Sequence, residues 1–220
     1  MIIHYCTSLD FRFTLRNNAK LTKYNLNMES VTNLLPFEGS IIPGLHFDNC
    51  TIWVLKWDSN PTHIKEMVEV WILWHNGKKT CYISPSEANV VFQKYHDFDE
   101  IIPATITIED IESSVFIEVT VSQVSILLLE ILHKKTLKYN LLNIILRYAN
   151  RNKIAEKGKT ETGMNYKSIP KKINSIRVLK SKLYGENVNL IKKPSIQYTL
   201  GDGKSTKEPI INYCIHLLED

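Results

Sequence analysis

Hydrophobic residues fall in short runs separated by polar stretches, and their spacing switches between two periods along the chain. Cys50–Trp57 (CTIWVLKW) is dense in β-branched and aromatic residues and predicts a strand. Met1–Cys6, Thr80–Ile83 and Ile101–Ile108 predict further strands. Between them the spacing turns helical. Ile64, Met67, Val68, Trp71 and Trp74 share one face of a helix starting near Pro61, with Ser59 and Asn60 as caps. Ser84 and Glu87 stand three apart, as a capping box that opens a helix running through Tyr95. Strand alternating with helix predicts a parallel-sheet α/β domain over residues 1–112.

Beyond residue 112 the pattern predicts three helices and a hairpin. Val121–His133 reads as a helix capped by Ser122, with Ile126, Leu128, Leu129 and Leu132 inward. Tyr139–Tyr148 follows, with Leu142, Ile145 and Leu146 inward, and then a polar loop over Arg151–Lys167. After Pro170 a third helix carries Ile169, Ile173, Ile176, Leu179 and Leu183 on one stripe. Its opposite face presents Lys171, Asn174, Arg177, Val178, Ser181 and Lys182, groups suited to phosphate and base-edge contacts in a major groove. Leu190–Leu200 predicts two short strands around Pro194-Ser195, with Lys192 and Lys193 at the tip. This domain spans 113–203. The tail, 204–220, holds an apolar stretch (Ile210–Leu218) that docks as a helix or mediates association.

Charge sharpens the division. Residues 1–130 hold 9 Lys+Arg against 16 Asp+Glu, whereas residues 131–220 hold 18 against 7. A basic second half fits a polyanionic partner, through counterion release, or a solvated lysine-rich surface. No apolar run approaches the ~20 residues that span a bilayer, and the N-terminus shows no signal peptide, so the expected location is cytoplasmic.

Helix, helix, groove-facing helix and basic hairpin together resemble the OmpR/PhoB-type winged helix-turn-helix DNA-binding domain. Val121, Ser122, Ile126, Leu128 and Leu129 fit that family's opening pattern. Ile176–Leu183 (IRVLKSKL) fits its recognition helix, and Leu190, Tyr198 and Leu200 fit its wing. The N-terminal order resembles, more distantly, the receiver domain of response regulators. There Asp58 occupies the phospho-acceptor position just past the third strand, and Ser84 the hydroxyl position after the fourth. Cys6-Thr7-Ser8 stands in place of the family's acidic pair, and Ile102 in place of its lysine before Pro103, leaving too few oxygen ligands for Mg²⁺. The resemblance implies a phosphorylation-independent transcription regulator and not an enzyme. Its partners are double-stranded DNA, a second copy of itself and RNA polymerase, with no membrane, cofactor or metal. Lys171, Asn174, Arg177, Val178, Ser181 and Lys182 would face the groove, with Lys192 and Lys193 on the flanking backbone.

Two other readings stay open. One is an enzyme in the α/β half that uses groups such as Asp58, His63, His75, Cys81, His96, Asp97 and Asp99. The other is an adaptor whose basic half binds an acidic protein. Trp53, Trp57, Trp71 and Trp74 either line a pocket or a dimer face or pack the core, and core packing is favoured. Cys6, Cys50, Cys81 and Cys214 lack metal-site spacing and read as buried thiols.

Overall fold

The computed structural model of the chain describes residues 34–111, 113–148, 154–191 and 199–220. Met67–Trp74 (MVEVWILW) illustrates what governs the fold. Val68, Val70 and Ile72 alternate with Met67, Glu69, Trp71 and Leu73, and all seven are buried. β-Branched side chains lose rotamers in a helix and fit a pleated surface. A strand covered on both faces shows an unbroken apolar run instead of alternation. The helix expected from Pro61 to Trp74 is therefore absent: Met67–Trp74 is a strand and the residues before it form an irregular connection.

In chain order the elements are β1 (Leu34–His46), β2 (Cys50–Ser59), β3 (Met67–Trp74), β4 (Lys79–Ser84) and α1 (Asn89–Tyr95). There follow β5 (Glu100–Pro103), β6 (Thr105–Ile111), β7 (Ser114–Val121), β8 (Val124–Lys134), α2 (Leu137–Tyr148) and β9 (Glu156–Lys159). The chain ends with β10 (Asn165–Leu183), β11 (Glu186–Asn187), β12 (Thr199–Leu200), β13 (Gly203–Lys204) and β14 (Ile210–Glu219).

Neither expected domain is present. The strands join in the order β5-β4-β3-β2-β1-β14-β10-β8-β7-β6, and β4–β5 is the one parallel pair among the described residues. A receiver-like parallel sheet is thus replaced by an antiparallel one. Of the three helices of the expected winged helix-turn-helix, Tyr139–Tyr148 stands, within α2. Val121–His133 is the end of β7, a turn and most of β8. Ser122 and Gln123, at φ 49° and 68°, form the two-residue turn between β7 and β8, where two positive φ values match the strands' twist. Ser122 is a turn residue, not a helix cap. The recognition helix expected over Pro170–Leu183 is the second part of β10. Register shifts at Pro170/Lys172 and Val178/Lys180 break strict alternation, so the intervals between buried residues imitate helical ones. Ile210–Leu218 is β14, inserted between β1 and β10.

The two edge strands of this order, β5 and β6, are joined by the single residue Ala104. The sheet therefore curls until its edges meet, and the Ala104 N–H donates to the Ile83 carbonyl at 3.0 Å. This near-closure leaves little of either edge open to pairing with another chain. On one face Ile52, Val54, Val70 and Ile72 share a cluster with Ile117, Val119, Leu127 and Leu129, from strands at the other end of the order. Those strands meet only across the barrel interior. The opposite face of β1–β4, β14 and β10 buries a second cluster that includes Trp53, Trp57, Trp71, Phe92 and Tyr166.

On the free side of β10, β9 covers residues 165–168 and β8 covers 175–183, leaving the backbone between them unpaired. Asn143 of α2 fills that gap. Its Nδ2 donates to the Ile173 carbonyl and its Oδ1 accepts from the Ile173 N–H, both at 2.8 Å. Tyr139, Leu142 and Leu146 then pack on Ile154, Ile173 and Ile210. Among the described residues no helix is long and apolar enough to cross a membrane.

Candidate functional site

The second cluster is not solid. It encloses a cavity of about 170 Å³. Alternation places Trp53, Leu55 and Trp57 of β2 beside Met67, Glu69 and Trp71 of β3 on its floor. β14 contributes Asn212 and His216, β10 contributes Tyr166 and Ser168, and Phe92, Tyr95 and His96 close one side. β3 and β10, four strand positions apart, thus line one space, with residues of α1 and β9 among its other walls.

The β12–β13 hairpin covers part of the cavity and is tied down at both ends. At its turn, Gly201 has φ +57°, and a Cβ there would meet the Lys159 carbonyl oxygen at 2.1 Å, so only glycine fits. Asp202 N–H donates to the Lys159 carbonyl at 2.9 Å, and Asp202 Oδ2 accepts from Lys159 N–H at 2.8 Å. At the other end, buried His46 meets the Thr206 carbonyl through Nε2 at 2.7 Å and Thr51 Oγ1 through Nδ1 at 3.0 Å. A carbonyl only accepts, so Nε2 donates and Nδ1 accepts from the threonine hydroxyl. Burial lowers the His46 pKa, consistent with this neutral tautomer. Near α1, Lys79 Nζ pairs with Glu161 at 2.6 Å, and Thr162 Oγ1 donates to the Lys94 carbonyl at 2.8 Å.

Glu69 is the chemical centre of the wall. Only 4% of its surface is exposed, and its strand neighbours are apolar. Burial disfavours its charged form and pushes the pKa up to about 7, against the opposing effect of the Trp71 and Trp57 indole donors. The Trp71 Nε1–H to Glu69 Oε2 distance is 3.0 Å. Trp71 stacks on Trp53 with ring centroids 5.7 Å apart, which fixes the donor. A carboxyl near half-protonation at neutral pH can give or take a proton.

Around it, polar atoms stand without a hydrogen-bond partner among the described residues: Trp53 Nε1, Asn212 Oδ1, His216 Nδ1 and His96 Nδ1. All four side chains line the cavity. His216 lies between Trp57 and Tyr166, with centroids at 5.8 and 5.1 Å. Burial, with a smaller contribution from His96, lowers its pKa to about 3, so the ring is neutral. His96 is likewise lowered by burial, and its Nδ1 stands 3.7 Å from Glu161, beyond hydrogen-bond length. Burial raises Glu156, on β9, as well. Buried polar atoms usually pair, so orphans gathered around one cavity point to a ligand with complementary polar groups.

The residues singled out in the sequence scatter. Lys171, Asn174, Arg177, Val178, Ser181 and Lys182 all lie on β10, not on one face of a helix. Lys171 pairs with Glu38, Ser181 is buried and donates to the Val188 carbonyl at 2.6 Å, Val178 packs on the interior cluster, and Arg177 is exposed. Lys192 and Lys193 lie outside the described residues. Asp58 is exposed near the end of β2, 3.1 Å from Lys56. Of His96, Asp97 and Asp99, only His96 faces the cavity, while Asp99 accepts from the Lys79 N–H at 2.7 Å. Trp53, Trp57 and Trp71 line the cavity, whereas Trp74 faces the other way, stacked on Tyr184. Glu69, Asn212 and His216 escaped the sequence reading. A lone carboxylate inside MVEVWILW is the signal that could have found the first.

The fold and site define a nearly closed, mainly antiparallel barrel-like sheet with an acid-bearing aromatic cavity. No family model matches the chain, and no curated protein does. Among solved structures it is similar to acetoacetate decarboxylase from Legionella pneumophila, at 8% identity and TM-score 0.47, over 94% of this chain and 90% of that one. It is similar to a second acetoacetate decarboxylase structure at 8% identity and TM-score 0.45, over 85% and 87%. No residue role is transferred from either. The expectation of a DNA-binding transcription regulator falls with the recognition helix that carried it. The expectation that the chain is not an enzyme rested on that reading alone and falls with it.

Proposed function

We propose that the cavity binds a small, mostly apolar organic molecule bearing an acceptor oxygen, such as a ketone, and that Glu69 moves a proton on it. The observation that carries this reading is the buried Glu69 carboxyl, poised near neutral pH in a wall of tryptophans. As carboxylate it would take a proton from the carbon beside the carbonyl. The oxygen would then receive a hydrogen bond from a neutral donor in the same wall, the Trp53 N–H or the His216 ring. Aromatic walls exclude water, which strengthens both interactions.

Amine chemistry has less support. A lysine nucleophile needs desolvation or a cationic neighbour. Among the described lining residues the one amine, Lys204, is exposed.

The test is solvent-deuterium incorporation into small ketones, followed by NMR, together with ligand-induced change in tryptophan fluorescence. Wild type is expected to exchange the α-protons of at least one ketone with a rate that rises through about pH 7. Glu69→Gln should keep the fluorescence response and lose exchange by about a hundredfold or more. Equal exchange in both proteins would remove Glu69 from the chemistry.

A further inference from the structure

α2 presents two apolar stripes. Tyr139, Leu142 and Leu146 face inward on the barrel. On the opposite side Leu137, Leu141, Ile144 and Tyr148 are exposed by 86%, 58%, 53% and 80%. At about 100° per residue these four fall within an arc of roughly 60°, a continuous ridge about 18 Å long. Single exposed apolar residues are ordinary on a surface, but four aligned on one helix mark a contact site.

The charges around the ridge say what kind of contact. Lys138 and Arg147 lie about 90° from the ridge's centre line, on opposite sides of it. Lys134 and Lys135 are exposed just before the helix. Residues 131–155 contain six Lys or Arg and no Asp or Glu. A narrow apolar ridge flanked on both sides by cations, in a stretch free of acids, matches an anionic lipid surface. Its apolar side chains would enter the acyl boundary while lysine and arginine reach the headgroups. We propose that α2 docks the protein on anionic membranes, lying in the plane of the interface and not crossing it. The inner stripe of the same helix packs on Ile154, Ile173 and Ile210, which also line the cavity. Docking therefore brings the cavity wall close to a lipid phase.

Flotation of the full chain with phosphatidylcholine vesicles, with and without phosphatidylserine, tests this. Wild type should float with the anionic vesicles, remain free of the neutral ones and dissociate as salt rises. Lys138→Glu and Arg147→Glu should each weaken binding about fivefold or more. Leu141→Gln and Ile144→Gln together should abolish flotation while circular dichroism and melting stay unchanged, since both positions are exposed. Two results would overturn the proposal. One is wild type that stays free of anionic vesicles. The other is a dimer, measured by sedimentation, that the Gln variants dissociate without any loss of lipid binding.

Discussion

The two faces of the strands β1–β4 were built from the same residues in alternation and serve opposite ends. Toward the barrel interior, Ile52, Val54, Val70 and Ile72 meet Leu127 and Leu129, and the hydroxyls of β4 on that face are engaged, Tyr82 with Tyr184 at 2.8 Å and Thr80 with the Trp74 indole N–H at 3.3 Å. One residue over, Trp53, Glu69 and Trp71 face a cavity with an uncharged-or-charged carboxyl and several polar atoms left without partners. The first face is saturated and can only be damaged. The second retains unused hydrogen-bonding capacity, which costs stability and has value only if a ligand supplies the partner. Strand alternation permits both on one backbone, because neighbouring residues never share a face.

The comparison breaks most visibly at the interior. Phe47 is fully buried there, and Phe47→Ala should cost roughly 3–5 kcal/mol in urea unfolding, with no pH dependence of its own. On the cavity face the largest effect is instead a pH effect. The Glu69 pKa is raised from 4.5 to about 7, so between those values the folded state holds a proton that the unfolded state has released. Stability is then fully present below about pH 4.5 and falls as pH rises through about 7, by about 3 kcal/mol in all. Glu69→Gln should flatten that slope. His216 acts with the opposite sign. Its pKa is lowered to about 3, so its contribution is complete above 6.5 and is lost as pH falls through 3. His216→Gln should therefore protect against acid while Glu69→Gln protects against base. Parallel pH profiles for wild type and both variants would show that the wall is hydrated as if exposed.

Local signals were legible where a segment obeyed one period. CTIWVLKW became β2, Thr80–Ile83 fell within β4, and Ile101–Ile108 within β5 and β6. Tyr139–Tyr148 became most of α2, because Leu142 and Leu146 at i and i+4 pack on one side. The helix expected from Ser84 ends at Tyr95 as expected, but its capping box is absent: Ser84 closes β4, and α1 starts at Asn89 after a short 3₁₀ turn that no side chain caps. β3 was misread because burial on both faces erased its alternation, and β10 because two bulges imposed intervals of three and four. Closure was invisible: it depends on β5 and β6 being sheet edges, a fact about partners far along the chain. The site suffered for the same reason. Glu69, Asn212 and His216 lie up to 147 residues apart in sequence and meet only once β14 enters between β1 and β10.

The finest test lies within β2 itself, where Thr51 and Trp53 are two residues apart on the same strand and the same face. The Thr51 hydroxyl is partnered by His46 Nδ1 at 3.0 Å, whereas Trp53 Nε1 has no partner among the described residues. Thr51→Val keeps the shape but leaves a buried imidazole nitrogen unpaired, which should cost about 1–3 kcal/mol. Trp53→Phe removes a buried donor that nothing satisfies, so the lost hydrogen-bonding group costs nothing and offsets the smaller ring's lost packing. Its net effect should stay within about 1 kcal/mol of zero. The same Phe variant should weaken the binding of any oxygen-bearing ligand that shifts tryptophan fluorescence, by about tenfold, while leaving purely apolar ligands unaffected. If Trp53→Phe instead destabilises as much as Thr51→Val and binds both ligand classes equally, the indole N–H is part of the packed structure and not a group kept free for a ligand.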